Sequence, residues 1–475
     1  MAAIGLPAEL DAFHLPGIPP PSTTTWSPGD EGRTSLRLRV AQLTPPLLVR
    51  LIDGLLDART THLAEKPVEE IAAAIGRVAS RFLDPASELR RTAAFGLREV
   101  TGLSGPVIEQ VIDGMAADWK EDALLDLLTA EFGDFHVLDE FAPTGSGQRR
   151  VRAFGPPLAV HVFSGNVPGV SVTSVIRSLL TKSAVLGKTA TAEPILAPLF
   201  ASALAAEDAA LGACLSIAYW PGGEPALEEV AFERAGAVIV YGGRETVEAV
   251  RARVAPGTTF LGYGHRVSFG IVLKELLEAP GAAEVARAAA LAVATFDQQG
   301  CVSPHLFYVE DGGEVSAREW CSMLGTAMAE IERVLPRGRV APGEAAAIQA
   351  ARTEAEFAHL SDRGQELHAS KGDTAWTAIF DPDPTFNPSC LNRLVRVKPI
   401  LEVAQLPDLI RPVAPVLQTV GIAGSPARIA PLADELARLG ASRITAVGRM
   451  AWPPPEWHHD GRPPLADLVR WCDWE

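Results

Sequence analysis

The sequence predicts an α/β protein, with a helical first third followed by two units built on parallel sheets. Three observations carry this. Apolar residues recur at helical spacing between about 47 and 131, strand and helix alternate four times between 157 and 254, and the same rhythm returns near the C-terminus. The chain has 475 residues, enough for two to four domains at about 100–200 residues each. The pattern divides it at 1–150, 151–275 and 276–475.

Residues 1–35 carry Pro19, Pro20, Pro21 and the run Thr23-Thr24-Thr25, which reads as an extended, poorly packed arm. Leu47, Leu48, Leu51 and Leu55 begin the helical part; Ile71, Ile75 and Val78, then Leu124, Leu127 and Leu128 continue it, with breaks at Asp84-Pro85 and at 102–106. From 157 the expected order is strand 157–163, helix 170–181, strand 183–188, helix 195–205, strand 216–220, helix 225–234, strand 237–241 and helix 245–254. Ligands of such sheets sit beyond the carboxyl ends of the strands, where Asn166, Lys188 and Gly242 fall. The last unit reads as helix 282–294, strand 305–309, helices within 313–360 and strands near 377–380 and 394–399. Strand 419–422, helix 427–439, strand 443–447 and a closing helix 465–474 follow.

Composition excludes several function classes. Asp and Glu number 58 against 42 Lys and Arg, and a net charge of −16 repels a phosphate backbone, so nucleic acid is not an expected partner. Five cysteines without regular short spacing form neither a disulfide framework nor a zinc site. Residues 1–30 lack a basic start followed by an apolar run, and no apolar stretch reaches the roughly 18–20 residues that span a bilayer, so a cytoplasmic location is expected. Only seven of the basic residues are lysines, which makes a lysine at the end of a buried strand worth noting.

Cys301 lies in a polar turn after Gly300, between a helix and a strand, where a thiolate can be exposed to attack a carbonyl. Read alone it is more often a small buried hydrophobe. Cys214, Cys321 and Cys472 sit in apolar or amphipathic helical contexts and read as structural; Cys390 stays open. Asn166 ends a strand and can donate to an oxyanion, or cap a helix. Lys188 can hold a ribose hydroxyl or phosphate, or lie on the surface. Gly242-Gly243 let backbone N–H groups approach a pyrophosphate, without any G-x-G-x-x-G fingerprint. His458-His459-Asp460 lacks the spacing of a helical metal pair and reads as a loop or substrate-facing segment, so no metal is expected.

Together, Phe163-Ser164-Gly165-Asn166-Val167-Pro168-Gly169, Phe296-Asp297-Gln298-Gln299-Gly300-Cys301-Val302-Ser303-Pro304 and Trp457-His458-His459-Asp460-Gly461 resemble the aldehyde dehydrogenase superfamily. The likeness is closer still to its LuxC-type acyl-CoA reductase branch. It covers about 151 to the C-terminus, with 135 residues between Asn166 and Cys301. It implies a Rossmann-like cofactor domain at 151–275, a catalytic domain at 276–475, and residues 1–150 packed on the cofactor domain. It also implies Cys301 as the acyl-accepting nucleophile and Asn166 with the Cys301 N–H as oxyanion hole. Lys188 and Thr191 would lie along the adenosine ribose, with Gly242, Gly243 and Thr246 near the pyrophosphate.

Two departures from the pattern refine the expectation. Where hydrolytic members place the glutamate that activates water, the stretch Phe260-Leu261-Gly262-Tyr263-Gly264 offers phenylalanine. Without a positioned base, typically worth about 10²–10⁴-fold, the acyl-enzyme is left to exchange with a thiol carrier. Three residues after Lys188, Thr191 replaces the glutamate of NAD-preferring members, which favours NADPH. The expected activity is NADPH-dependent reduction of long-chain fatty acyl-CoA or acyl-protein thioesters to aldehydes. The resemblance adds an acyl-protein synthetase and an acyl-transferase as partners, and a homo-oligomer. Alternatives are a CoA-acylating aldehyde dehydrogenase of shorter aldehydes and a redox-free cysteine acyltransferase.

Overall fold

The computed structural model describes residues 9–19, 22–27, 36–145 and 149–475. Its N-terminal strands β1 (Glu9–Asp11), β2 (Thr23–Trp26) and β3 (Arg37–Ala41) form a small sheet with β3 in the middle. This corrects the expectation of a poorly packed arm; Pro20 and Pro21 lie outside the described residues. The β-branched threonines suit a pleated strand, and Ala12, Leu36 and Leu38 bury completely against Ile195. His14 then exchanges backbone hydrogen bonds with Ile217, 2.8 and 2.9 Å, which fastens the arm to the sheet beyond it.

Helices α1 (Pro45–Ala58), α2 (Val68–Leu83), α3 (Glu88–Thr101), α4 (Gly105–Asp118) and α5 (Glu121–Phe132) follow, broken where Pro85 and Gly102 predict. Pro106 stands in the first turn of α4, where its missing N–H costs nothing. β4 (Ala142–Thr144) and β5 (Arg149–Phe154) pair antiparallel. The first parallel sheet holds β6 (Leu158–Val162), β7 (Ala184–Lys188), β8 (Leu215–Ala218), β9 (Ala237–Tyr241) and β10 (Thr259–Tyr263), in the order β10-β9-β6-β7-β8. β6 to β9 are buried end to end, which is why they read as unbroken apolar runs. Helix α6 (Val170–Leu180) leaves β6 through Gly169, whose φ of +98° is open to glycine.

The chain crosses to a second sheet between Tyr263 and Val267, ahead of the boundary expected at 275. That sheet runs β13 (Glu366–Ala369), β14 (Thr377–Phe380), β15 (Leu394–Ile400), β12 (Pro304–Glu310), β11 (Val267–Val272), β16 (Leu417–Ala423) and β17 (Arg443–Ala446). All its pairs are parallel except that of β13. The closing helix expected at 465–474 is absent: a 3₁₀ turn at Ala466–Leu468 leads into strand β18 (Arg470–Trp474), which pairs antiparallel with β5. The partner strand lies more than 300 residues upstream, so local pattern carried no trace of the pairing. Cys472 therefore sits on a strand, half-buried.

Between the helix Ala279–Ala294 and β12, three consecutive residues take left-handed backbone: Phe296 (φ 57°), Asp297 (49°) and Gln298 (66°). Such non-glycine conformations cost about 1–3 kcal/mol each and persist only where surroundings enforce them. Here Arg393 Nε donates to Asp297 Oδ1 at 2.8 Å and the Gly338 N–H to Oδ2 at 2.9 Å. Gln298 Nε2 donates to the carbonyls of Pro304 (2.7 Å) and Leu394 (2.9 Å). Arg393 ends a second left-handed triplet, Leu391 to Arg393, and is 1% exposed. Arg393 also donates to Glu332 Oε2 (2.8 Å) and to the Leu335 carbonyl (2.7 Å), so Asp297→Ala removes one of its two carboxylates, at a cost of about 1–3 kcal/mol. The variant is expected to lower the urea-unfolding free energy by that amount; an unchanged midpoint refutes the role.

Candidate active site

The strained turn ends on Gly300 and delivers Cys301 to a cavity of about 580 Å³ that opens between the two sheets. Ser268 Oγ donates to the Cys301 carbonyl at 2.7 Å and accepts from the Thr419 N–H at 3.0 Å, which fixes the cysteine backbone to β11 and β16. The residue as a whole is half-buried. Burial, and secondarily the Asp460 carboxylate, pushes its pKa up to about 11, although Gln418 and its own N–H favour the thiolate. At neutral pH the group is a thiol and needs a base.

An imidazole stands beside it. His459 Nε2 lies 3.8 Å from Cys301 Sγ. Its ring is stacked against Tyr263 (centroids 4.5 Å, 16°) and Trp457 (4.8 Å, 24°), and Tyr263 stacks on Tyr241 at 4.7 Å. Tyr241 and Tyr263 are neighbours in the register of β9 and β10, so the sheet itself builds this column. Burial lowers the His459 pKa to about 4 against the opposing pull of Asp460, leaving a neutral imidazole. Asp460 is buried and held by Arg266 Nη2 (2.8 Å) and Gln418 Nε2 (2.9 Å). Local sequence around His459 points only to a loop or substrate-facing role. The adjoining His-His-Asp run and the tyrosines ending β9 and β10 were the available signals.

Asn166 reaches the same cavity, its Nδ2 donating to the Gln299 carbonyl at 2.9 Å. One of the two amide hydrogens is thereby used and the other stays free. The cavity wall away from the sulfur is mostly apolar, with Met115 and Trp119 at the end of α4, Leu124 and Leu127 from α5, and Val170 and Ile176 from α6, but Asp118, Thr173 and Arg177 line it too. Phe260 does not replace a cavity carboxylate. It packs outside the cavity, beneath Arg251 at 4.8 Å, and the cavity residues of its segment are Tyr263, Gly264, His265 and Arg266. No carboxylate comes from this segment, and the expectation is corrected in the identity of the residue only.

Gly242 and Gly243 line the cavity too, whereas Lys188, Thr191 and Thr246 lie beyond it. The Gly242 N–H is already given to the Tyr263 carbonyl (3.1 Å), so it has none to offer a phosphate. Gly243 caps the helix Arg244–Arg251, whose first turn, with exposed Thr246, presents its free N–H groups there. Lys188 is 8% exposed, and burial depresses its pKa. Among the described residues no carboxylate or hydrogen-bond acceptor meets its Nζ; its contact is the Trp220 ring at 5.8 Å. An unpaired buried cation at a strand's carboxyl end fits an anionic ligand. Glu193 is engaged elsewhere, accepting from the N–H groups of Ile195 (2.9 Å) and Leu196 (2.8 Å).

Among solved structures, a NAD-dependent benzaldehyde dehydrogenase from Corynebacterium glutamicum superposes with a TM-score of 0.72 at 15% identity, covering 99% of both chains, and shares the fold. A long-chain acyl-protein thioester reductase of Aliivibrio fischeri is 29% identical over 401 residues, 81% of this chain and 78% of its own length. One from Photobacterium phosphoreum is 27% identical over 361 residues, 75% and 70% respectively. The sequence model described as acyl-CoA reductase (LuxC) matches residues 63–471, and with the aldehyde dehydrogenase fold around Cys301 this chain belongs to that family.

Proposed function

We propose that this chain reduces long-chain fatty acyl thioesters, carried on CoA or on a protein, to fatty aldehydes through an acyl-cysteine at Cys301, with NADPH as reductant. The observation that carries the reading is the meeting of a thiol, a neutral imidazole and free amide donors at the polar end of an apolar cavity. The lining of α4, α5 and α6 suits an alkyl chain, and the family match agrees with a thioester substrate.

In the first step His459 Nε2 takes the Cys301 proton as the sulfur bonds to the thioester carbonyl carbon. The carbonyl oxygen becomes an oxyanion, received by the Cys301 N–H and the free hydrogen of Asn166 Nδ2; removing one such donor costs about 2.7–4 kcal/mol. Collapse breaks the bond to the carrier sulfur, and the carrier leaves as a thiol with the proton returned by His459. Asp460 does not serve as a water-activating base, since Arg266 and Gln418 occupy its oxygens. Lys188 and Thr191 would hold the adenosine ribose of the dinucleotide, and the first turn at Gly243 its pyrophosphate. When bound, the dinucleotide supplies the hydride that converts the enzyme-held acyl group to an aldehyde. An acyl-protein synthetase and an acyl-transferase would feed such a site.

Incubation with radiolabelled long-chain acyl-CoA, without cofactor, is expected to leave a hydroxylamine-sensitive label that Cys301→Ala abolishes; an unlabelled wild-type enzyme defeats the reading. Acylation of the wild type should stay level from pH 5 to 9, because the imidazole is neutral throughout and fails only as pH falls towards about 4. In His459→Gln the rate is expected to drop about 10²–10⁴-fold near neutrality. There it should climb about tenfold per pH unit as the thiolate fraction grows below its pKa of about 11. Parallel profiles in quenched-flow labelling would remove His459 from the mechanism.

A further inference from the structure

We propose that the acyl chain taken by this enzyme carries a hydroxyl group, which accepts a hydrogen bond from Arg177 and donates one to Asp118 in the wall of the cavity. The inference rests on the thioester-reductase reading above and narrows its substrate class. Asp118 ends α4, Arg177 lies in the last turn of α6, and both line the cavity that receives Cys301. The two helices are tied at that point, since Trp119 Nε1 donates to Thr173 Oγ1 at 2.9 Å. Trp119 follows Asp118 in the chain, and Thr173 stands one turn before Arg177 on the same face of α6. Arg177 is 7% exposed. It donates to the Pro455 carbonyl at 3.3 Å and to the Tyr241 hydroxyl, while its Nε meets no acceptor. Among the described residues Asp118 receives no hydrogen bond and closes no ion pair. Burial raises its pKa to about 6, against the attraction of Arg177 and with a further push from Glu456.

A guanidinium with unused donors and a carboxylate with unused acceptors thus line one largely apolar cavity, near enough to feel each other and yet not closed into a pair. The group that completes them has to accept on one side and donate on the other, and a hydroxyl is the smallest that does both. A plain alkyl chain would cover the two charges and leave them unpaired, which is the costly arrangement. A carboxylate on the chain would suit Arg177 but would meet the negative charges of Asp118 and Glu456. An amine would make the opposite error, pairing with Asp118 and facing Arg177. The neighbouring wall of Met115, Trp119, Leu124 and Leu127 calls for hydrocarbon, so the hydroxyl is a single polar point on an otherwise alkyl chain. Both side chains stand on packed helices, which confines the favoured hydroxyl to one stretch of that chain.

The test is the rate of cofactor-free labelling of Cys301 in the full chain by acyl-CoAs of one long chain length, plain or with a hydroxyl at successive carbons. It is run at about pH 8, where Asp118 is ionised. The wild type is expected to react about tenfold to a hundredfold faster with chains hydroxylated over one narrow stretch than with the plain chain, as befits hydrogen bonds to charged groups. Asp118→Leu and Arg177→Met should each erase that preference, and the double variant should take the plain chain faster than the wild type does. Asp118→Asn keeps an acceptor oxygen and should retain the preference in reduced form. The two Asp118 variants carry the test should Arg177→Met fail to fold. Equal wild-type rates for plain and hydroxylated chains, a gain independent of the hydroxyl's position, or variants that slow every chain alike overturn the inference and leave the reductase reading standing. A wild-type enzyme that none of these chains labels overturns the reading itself.

Discussion

The carboxylate of Asp297 against the guanidinium of Arg393 is the contact on which the site depends. Each residue belongs to a run of three non-glycine residues in left-handed backbone, and each run by itself is unfavourable. Closed on one another in a buried setting, with Gly338, Pro304 and Leu394 holding one turn and Glu332 and Leu335 the other, the two turns become a rigid bracket. The consequence is local: the chain emerges from the bracket with Cys301 facing the cavity, and Ser268 pins its carbonyl from the adjoining strand. A cysteine on an unconstrained loop would lose the alignment with Asn166 and His459, and small misplacements of reacting groups are costly.

The same dry surroundings push the two partners of the proposed proton transfer apart. Burial raises the thiol to about 11 and lowers the imidazole to about 4, so the resting pair is neutral on both sides. A neutral pair avoids the cost of an isolated buried charge and leaves the proton to move only when a carbonyl is within reach. The stacked rings of Tyr241, Tyr263 and Trp457 hold the imidazole plane in one orientation, while Asp460 is kept occupied by Arg266 and Gln418.

Cys301, Asn166 and the Gly242-Gly243 turn were legible because each sits at a recognisable punctuation point, the end of a strand or a glycine-led turn, and all four line one cavity. His459 was not, because its meaning lies in a contact spanning 158 residues of sequence. Phe260 was misplaced for a related reason: in β10 the alternation of faces sends it towards Arg251 and leaves Tyr263 to the cavity. The N-terminal arm failed as an expectation because its prolines suggested looseness, while its few apolar residues found a deep partner in Ile195.

The sequence alone determined the helical first third, the βα alternation of the first sheet and the glycine-led turn that carries Cys301, since periodicity and turn chemistry act between near neighbours. Tertiary structure decided what distant segments do together. It made residues 470–474 a strand by supplying β5 as partner, and it brought His459 to the Cys301 sulfur and Lys188 over the Trp220 ring. Burial and the pairing of remote backbone are properties of the assembled chain, and a local pattern of residue types carries neither.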